Sequence, residues 1–312
     1  MRILFAGSGE FGLPALKALA AAGHEIPMIF TQPDRPAGRG RKLTPTPIGQ
    51  FAIQHSLPLV RTEQFNAEAL PVADLMVVIA FGQKISSEAA RWCRLGSVNL
   101  HASLLPKYRG AAPINWAILR GETVTGNSVI RLAPRMDAGN ILAQSTVSIG
   151  AMETTGELHD RLSREGGKIV LDVARALESG SAIETIQDES QATSAPKLSR
   201  DSSRIEWGKP AHEIACQIRG LYPWPGCRAR LIDQRGTEQD ILTLVRARPV
   251  ASDRAGAPGE ITLNQAVGAG DGHTVEIVEV QPQGKRPMSL AEYCRGHAWE
   301  AGMRLESIVR GE

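Results

Sequence analysis

The feature that most restricts the fold of this chain is the alternation, through its first half, of short apolar runs with amphipathic or glycine-rich segments. Each run is long enough for one strand and is apolar on both faces, which is typical of strands buried in a parallel sheet. We therefore expect an α/β domain with a Rossmann-like, mostly parallel sheet and a long helix over 154–177 packed across it. The apolar runs lie at 3–6, 26–31, 57–60, 75–80 and 98–101.

The second half has a different pattern, in which short strand candidates are separated by glycine turns. A series of this kind is typical of a small barrel, so we expect a smaller, OB-like β-barrel domain. The strand candidates lie at 228–232, 241–245, 259–263 and 275–280, after a short helix candidate at 211–219.

The chain length of 312 residues favours two domains over a single core. Residues 188–204 are rich in Ser, Thr, Asp and Pro and show little periodicity, which is typical of a linker. The sequence thus predicts a first domain over 1–187 and a second over 205–312.

Composition excludes several classes of protein. No run reaches the roughly 18 apolar residues that a membrane span needs, and the N-terminus lacks the features of a secretory signal, so we expect a cytoplasmic protein. The formal net charge of +2 indicates no particular partner, and no protein partner is implied. The four cysteines form no close pair, which predicts neither a disulfide framework nor a metal site. They are Cys93, Cys216, Cys227 and Cys294.

Three glycines after the first apolar run have the Gly-x-Gly-x-x-Gly spacing of a dinucleotide-binding turn. They are Gly7, Gly9 and Gly12, and Asp34 follows at the distance where such a motif carries its acidic residue. Asp34, however, lies in a basic loop beyond its strand, and glycine turns also occur where a backbone must reverse tightly. We favour the structural role and keep a nicotinamide-dependent oxidoreductase as an alternative.

Asn99, His101 and Asp137 form the strongest candidate site. Asn99 and His101 lie two residues apart in a predicted strand, so their side chains share a face near its end. Ligands of open α/β sheets bind at that edge, and Asp137 reaches it after a strand candidate at 129–133.

These residue types suit direct acyl transfer to an amine. The histidine beside a carboxylate can handle the proton that the attacking nitrogen loses. The Asn99 amide can donate a hydrogen bond to the tetrahedral oxyanion intermediate. Ser103 lacks the strand-to-helix elbow of a nucleophilic serine, so we expect it to form a loop hydrogen bond instead.

A second feature is a basic run among prolines and glycines at 33–42. This composition predicts an exposed basic loop that is neither helix nor strand. Its basic residues are Arg35, Arg39, Arg41 and Lys42.

The motifs at 99–106, Asn-Leu-His-Ala-Ser-Leu-Leu-Pro, and at 109–114, Arg-Gly-Ala-Ala-Pro-Ile, resemble the signature of the folate-dependent formyltransferases. Segments along the rest of the chain resemble the members of this family that act on tRNA. These segments are 31–40 in the basic loop, 195–198 and 205–207 around the linker, and 218–219, 223–226 and 284–289 in the second domain.

The resemblance implies transfer of a formyl group from 10-formyltetrahydrofolate to the α-amino group of methionine on initiator tRNA. It implies a catalytic set of Asn99, His101 and Asp137. The residues that it implies for the folate site are Ser103, Leu104, Leu105 and Pro106, and those that it implies for tRNA are Arg35, Arg39, Arg41, Lys42 and Lys197.

The chain departs from the family pattern at Ser8-Gly9, at Ala138 and Asn140 beside Asp137, and at Tyr222. We expect Trp224, between two prolines, to be a packing anchor. Two further alternatives stay open. One is a folate-dependent formyltransferase that acts on a sugar amine or other small amine, or hydrolyses the donor. The other is a catalytically silent protein that binds tRNA or folate.

Overall fold

The computed structural model describes residues 1–37, 40, 42–252 and 256–308 and divides into two compact units. The first unit comprises Met1–Gly110, Gly126–Val147 and His159–Ser194, and the second comprises Ala111–Thr125, Ser148–Leu158 and Ala195–Glu312. The domain boundaries expected from the sequence stay a prediction, and the structure assigns residues 188–194 to the first unit.

The helices and strands of the described residues are numbered in chain order. The helices are α1 (Leu13–Ala21), α2 (Pro47–Gln54), α3 (Ser87–Ala90), α4 (Pro113–Leu119), α5 (Thr155–Ser179), α6 (Ala211–Gly220) and α7 (Leu290–Tyr293). The strands are β1 (Arg2–Gly7), β2 (Glu25–Thr31), β3 (Arg35–Ala37), β4 (Lys42–Thr44), β5 (Leu59–Arg61), β6 (Leu75–Ile79), β7 (Ser97–His101), β8 (Arg109–Gly110), β9 (Val124–Arg131), β10 (Ile141–Ser148), β11 (Ser194–Ala195), β12 (Cys227–Ile232), β13 (Glu238–Val250), β14 (Val267–Gly268), β15 (Thr274–Pro282), β16 (Met288–Ser289) and β17 (Arg304–Ile308).

The first unit contains a seven-stranded sheet in the order β10-β9-β7-β6-β1-β2-β5. The central pairs from β7 to β5 are parallel, which confirms the α/β prediction. Strand β9 runs antiparallel to β7. Strand β10 is not among the predicted strands, because its residues alternate between half-buried and exposed and form no apolar run.

Two consecutive glycines in α5 bring this helix against the first sheet. A methyl group at Gly166 would lie 2.6 Å from the Leu100 side chain of β7, and one at Gly167 would lie 2.9 Å from the backbone of Pro14 in α1. Each glycine costs a helix about 1 kcal/mol relative to alanine, so close packing explains why a long helix contains both. The expected helix across the sheet is thereby confirmed, and it ends at Ser179.

The second unit is built around a nearly closed antiparallel sheet in the order β14-β15-β13-β12-β17, with β16 paired to β15. The OB-like barrel expectation is confirmed at this level. Helix α6 packs against β13, and α4 packs against α6. The core of the second unit is formed by large buried apolar side chains, among them Trp207, Ile214, Leu242 and Ile277.

Two expectations for the second unit are wrong. The strand candidate at 259–263 forms only isolated bridges, because Gly259 has a φ of +85° and Thr262 bonds back to Ala266 in a turn. Trp224 is 51% exposed and is not a packing anchor, since neighbouring prolines do not themselves bury an indole ring. No helix in the described ranges has the length and apolar character that a membrane crossing requires.

Candidate active site

Strand β7 places Asn99 and His101 on one face of the first sheet. His101 is only 6% exposed, and its backbone lies opposite Ser128 of β9. Asn99 is half-buried, and its amide has no hydrogen-bond partner among the residues that the structure describes. An unpartnered amide beside a buried imidazole leaves a donor free for a bound molecule.

The His101 imidazole has one neighbour on each ring nitrogen. Its Nε2 lies 2.9 Å from the carbonyl oxygen of Tyr108. Its Nδ1 lies 3.6 Å from Oδ2 of Asp137. Because a carbonyl oxygen only accepts, Nε2 carries a proton, and in the neutral ring Nδ1 is then the unprotonated nitrogen. The predicted approach of His101 and Asp137 is confirmed.

Asp137 sits in a tightly constrained loop between β9 and β10. Its φ is +55°, and its Oδ2 accepts a hydrogen bond of 2.9 Å from the backbone N–H of Gly110. The loop is closed by the N–H of Arg131 donating to the carbonyl of Asn140 at 2.9 Å. A methyl group at Gly139 would collide with the Arg131 carbonyl, so only glycine fits this loop path.

The loop at 103–106 is fixed by buried polar side chains. Ser103 Oγ donates to the carbonyl of Lys107 at 2.6 Å, which confirms the expected loop role of this serine. Ser128 Oγ donates to the Ser103 carbonyl and accepts from the Leu105 N–H. Gln144 Nε2 donates to the Leu105 carbonyl at 3.0 Å and to Ser128 Oγ at 2.8 Å. The half-buried side chains of this loop are those of Leu104 and Pro106.

The basic run contains a short hairpin, which corrects the expectation that it excludes strands. Arg35–Ala37 pairs antiparallel with Lys42–Thr44, because three residues on each strand are enough for a two-stranded ribbon. Arg35 and Lys42 are exposed, as expected. Arg39 and Arg41 lie outside the described residues. Lys197 is exposed and belongs to the second unit.

The glycine turn after β1 is explained by packing. A methyl group at Gly7 would lie 2.8 Å from both the Ile79 carbonyl and the Phe5 ring, and one at Gly12 would lie 3.4 Å from Ile79. Gly7 therefore allows the close approach of β1 to β6, and Gly12 allows the turn before α1 to pack on Ile79 of β6. A separate open pocket of about 520 Å³ is lined by residues 63–67, Gln83 and Lys84, and it includes none of the predicted site residues.

Sequence reasoning missed the residues that hold this site in shape. Arg109 lies in the motif at 109–114 that resembles the family signature, but the sequence predicts no role for it. Gln187, at the edge of the expected linker, is only 5% exposed and bonds to the Asp137 loop. Tyr108 and Thr193 were not singled out either. No local pattern identifies these residues, because the bonds from Gln187 to the Asp137 loop and from Tyr108 to Thr193 span 48 to 85 residues of the chain.

Two family models match this chain. One is described as formyl transferase and matches residues 1–174, and the other is described as formyl transferase, C-terminal domain, and matches residues 197–298.

Curated proteins named methionyl-tRNA formyltransferase are similar over nearly the whole chain. The protein from Methylococcus capsulatus is 41% identical over 98% of this chain and 99% of its own length. The protein from Moorella thermoacetica is 40% identical over 99% of this chain and 100% of its own length.

A solved structure is similar in fold. The sugar 3N-formyl transferase WlaRD, crystallised in the presence of dTDP and 5-N-formyl-THF, has a TM-score of 0.64 at 19% identity. The match covers 92% of this chain and 99% of that chain. At this identity the likeness concerns the fold alone.

Proposed function

This chain belongs to the formyl transferase family, and from that membership we propose that it transfers a formyl group from 10-formyltetrahydrofolate to the α-amino group of methionyl initiator tRNA. The observation that carries the proposal is identity of about 40% over essentially the full length to relatives named for this activity. The short distance between His101 Nδ1 and the Asp137 carboxylate, 3.6 Å, supports the chemistry.

In the proposed mechanism, His101 and Asp137 handle the proton of the attacking amine. The hydrogen bond from Nε2 to the Tyr108 carbonyl leaves Nδ1 as the basic nitrogen, on the side of Asp137. A positioned histidine of this kind contributes about 10²- to 10⁴-fold to a rate. The Asp137 carboxylate stabilises the imidazolium that forms when the proton arrives.

Asn99 has a separate role in this proposal. As the amine adds to the formyl carbon, negative charge develops on the formyl oxygen. When this intermediate collapses, the bond from the formyl carbon to the folate nitrogen breaks, and that nitrogen takes the proton held by His101 as tetrahydrofolate leaves. The Asn99 side-chain N–H groups have no other partner in the described residues and are available to donate to that oxygen. Pre-oriented donors lower the barrier because they need no reorganisation as the charge appears.

The folate donor supplies the formyl group, and we propose that residues 103–106 line its site. Leu104 and Pro106 offer half-buried apolar surface to its ring system, whereas the hydroxyl of Ser103 is buried and already engaged. Ser128 and Gln144 keep the loop in one conformation, which is the preorganisation that a ligand site requires.

The exposed basic residues favour tRNA as the acceptor over a small amine. Arg35, Lys42 and Lys197 can supply phosphate contacts, and such contacts carry sequence-independent affinity for nucleic acid. We propose that the protein acts in the cytoplasm. A sugar amine is the second candidate, because WlaRD shares the fold.

A transfer assay with labelled 10-formyltetrahydrofolate separates these acceptors. We expect formylation of methionyl initiator tRNA, with little formylation of charged elongator methionine tRNA or of a dTDP-linked amino sugar. Preferred formylation of the amino sugar would contradict the proposal. Folate binding without transfer to any of the three acceptors would instead indicate a silent binding protein.

A further inference from the structure

The buried amide of Gln187 holds the backbone of the Asp137 loop. Its Nε2 donates to the carbonyl of Asp137 at 2.8 Å and to that of Gly139 at 2.7 Å. Its Oε1 accepts from Nε and Nη2 of Arg109, at 3.1 and 2.7 Å. Both amide protons and the amide oxygen are thus used, and exchanging the nitrogen and the oxygen would break every one of these bonds.

Arg109 is in turn fixed from its other side. Its Nη1 and Nη2 donate to the two carboxylate oxygens of Glu189 at 3.0 and 2.9 Å. Arg135 pairs with the same carboxylate. The Arg109 guanidinium, followed by that of Arg135, lowers the pKa of Glu189 to about 2, so Glu189 stays ionised at neutral pH. A guanidinium held in this bidentate way presents a rigid edge to Gln187.

The segment 187–193, which contains Gln187 and Glu189, also bonds to the backbone on the His101 side of the His101–Asp137 pair. The Thr193 carbonyl accepts from the Arg109 N–H at 2.8 Å, and Thr193 Oγ1 accepts from the Tyr108 N–H at 2.8 Å. Tyr108 supplies the carbonyl that orients the His101 imidazole. Residues 187–193, which have the composition of the start of a linker, therefore fix the backbone on both sides of the His101–Asp137 pair.

The bonds from Gln187 hold a loop whose backbone is strained at Asp137. Asp137 adopts a φ of +55°, which costs a non-glycine residue on the order of 1 kcal/mol and persists only when neighbouring contacts impose it. The bonds from Gln187 to the Asp137 and Gly139 carbonyls restrain both the strained residue and the residue two positions beyond it. They touch neither the Asp137 carboxylate nor the His101 ring.

We propose that Gln187, backed by Arg109 and Glu189, is a positioning residue that sets the distance between the Asp137 carboxylate and His101. The inference rests on the proposed function, in which this pair handles the proton. The bonds from Gln187 Nε2 act on turnover through the Asp137 loop and leave substrate affinity nearly untouched.

The test is a double-mutant cycle on kcat for formyl transfer to methionyl initiator tRNA. We expect Gln187→Leu to lower kcat by about 10- to 100-fold, since a displacement of about 1 Å at a reacting group has effects of this size. The KM values for tRNA and folate should change less than about threefold, because the brace contributes no uniform binding. In an Asp137→Ala background, Gln187→Leu should add no further loss, because the side chain that it positions is already gone.

Gln217 of the second unit is a matched control, since its Nε2 donates to the carbonyls of Ser202 and Arg204 at 3.0 and 2.9 Å. Gln217→Leu removes the same kind of bonds and should leave kcat unchanged. If Gln187→Leu does not fold, Glu189→Ala replaces it, because its exposed side chain is released without disturbing a core. We expect a loss of severalfold in kcat from Glu189→Ala that disappears in the Asp137→Ala background.

Multiplicative losses in the double mutant, or unchanged kcat in Gln187→Leu or its replacement, would overturn the positioning role. Wild-type activity of Asp137→Ala would overturn the proposed mechanism instead, so the two failures are distinguishable.

Discussion

At the scale of single residues, the hydrogen bond from His101 to the Tyr108 carbonyl decides which imidazole nitrogen is available for chemistry. Nε2 is engaged at 2.9 Å, and Nδ1 faces the Asp137 carboxylate at 3.6 Å. That separation is longer than an ordinary hydrogen bond but lies within the distance of an ion pair. In the proposed mechanism, the proton of the attacking amine therefore arrives at Nδ1, beside the Asp137 carboxylate.

Asn99 provides a prediction at this scale. We expect Asn99→Ala to lower kcat by about 10²- to 10³-fold, the usual loss for one oxyanion donor, with folate affinity retained. Steady-state kinetics and folate titration give the two quantities. Asn264→Ala, at an exposed position of the second unit, is the control and should behave as wild type. A loss confined to folate affinity would assign Asn99 to binding and not to transition-state stabilisation.

At the scale of elements, the start of α5 shows how charge stabilises the second unit. Thr154 and Glu157 form a reciprocal capping box, in which the Thr154 N–H donates to Glu157 Oε2 at 2.9 Å and the Glu157 N–H donates to Thr154 Oγ1 at 3.4 Å. Arg246 of β13 binds both oxygens of the same carboxylate at 3.0 and 2.8 Å. The Glu157 side chain thus connects the start of α5 to strand β13 of the barrel sheet.

This arrangement makes stability depend on pH in a defined direction. The hydrogen bond from Arg246, with those from Thr154, lowers the pKa of Glu157 from 4.5 to about 2. A carboxyl group whose folded pKa is depressed stabilises the fold above its unfolded pKa. That contribution is lost as the pH falls from about 4.5 towards about 2.

We expect Glu157→Gln to lower the free energy of unfolding at pH 7 by less than about 1 kcal/mol, because the side chain is half exposed and screened by solvent. The difference from wild type should shrink as the pH falls through the range between the two pKa values. Urea unfolding at neutral and acidic pH measures it. Glu165→Gln breaks an exposed pair with Lys168 and should show no such trend. If the free energy of unfolding of Glu157→Gln differed from that of wild type by the same amount at both pH values, the effect would not come from the charge of Glu157.

At the scale of the whole molecule, the proposed catalytic side chains belong to the first unit, whereas exposed basic residues occur in both units. Arg35 and Lys42 belong to the first unit and Lys197 to the second. The second unit has nearly equal numbers of acidic and basic residues, so local segregation of charge, and not net charge, would have to attract tRNA.

We expect Arg41→Ala and Lys42→Ala to weaken the use of tRNA far more than the binding of formyl-folate. The dependence of kcat/KM for tRNA on salt should become shallower by about one unit of logarithmic slope for each phosphate that the variant no longer neutralises. Kinetics at several salt concentrations measure this slope. Lys168→Ala, an exposed lysine on α5, is the control. Equal effects on tRNA and folate would assign the hairpin to the folate site.

The sequence predicted the parts of this molecule that depend on local patterns. The buried strand β7 follows from its apolar run, and the approach of His101 to Asp137 follows from strand ends meeting at one sheet edge. Gln187 could not be found in this way, because its partners lie 48 to 78 residues away and its segment has the composition of a linker. Trp224 was misjudged because exposure depends on tertiary neighbours.

The most direct test of the proposed mechanism measures the rate of formyl transfer to methionyl initiator tRNA by the His101→Ala and Asp137→Ala variants and by wild type. Thermal unfolding of each variant checks that it is folded. We expect each substitution to lower kcat by at least about 10²-fold while both proteins stay folded and bind folate. Near wild-type turnover in either folded variant would contradict a shared proton between these two side chains.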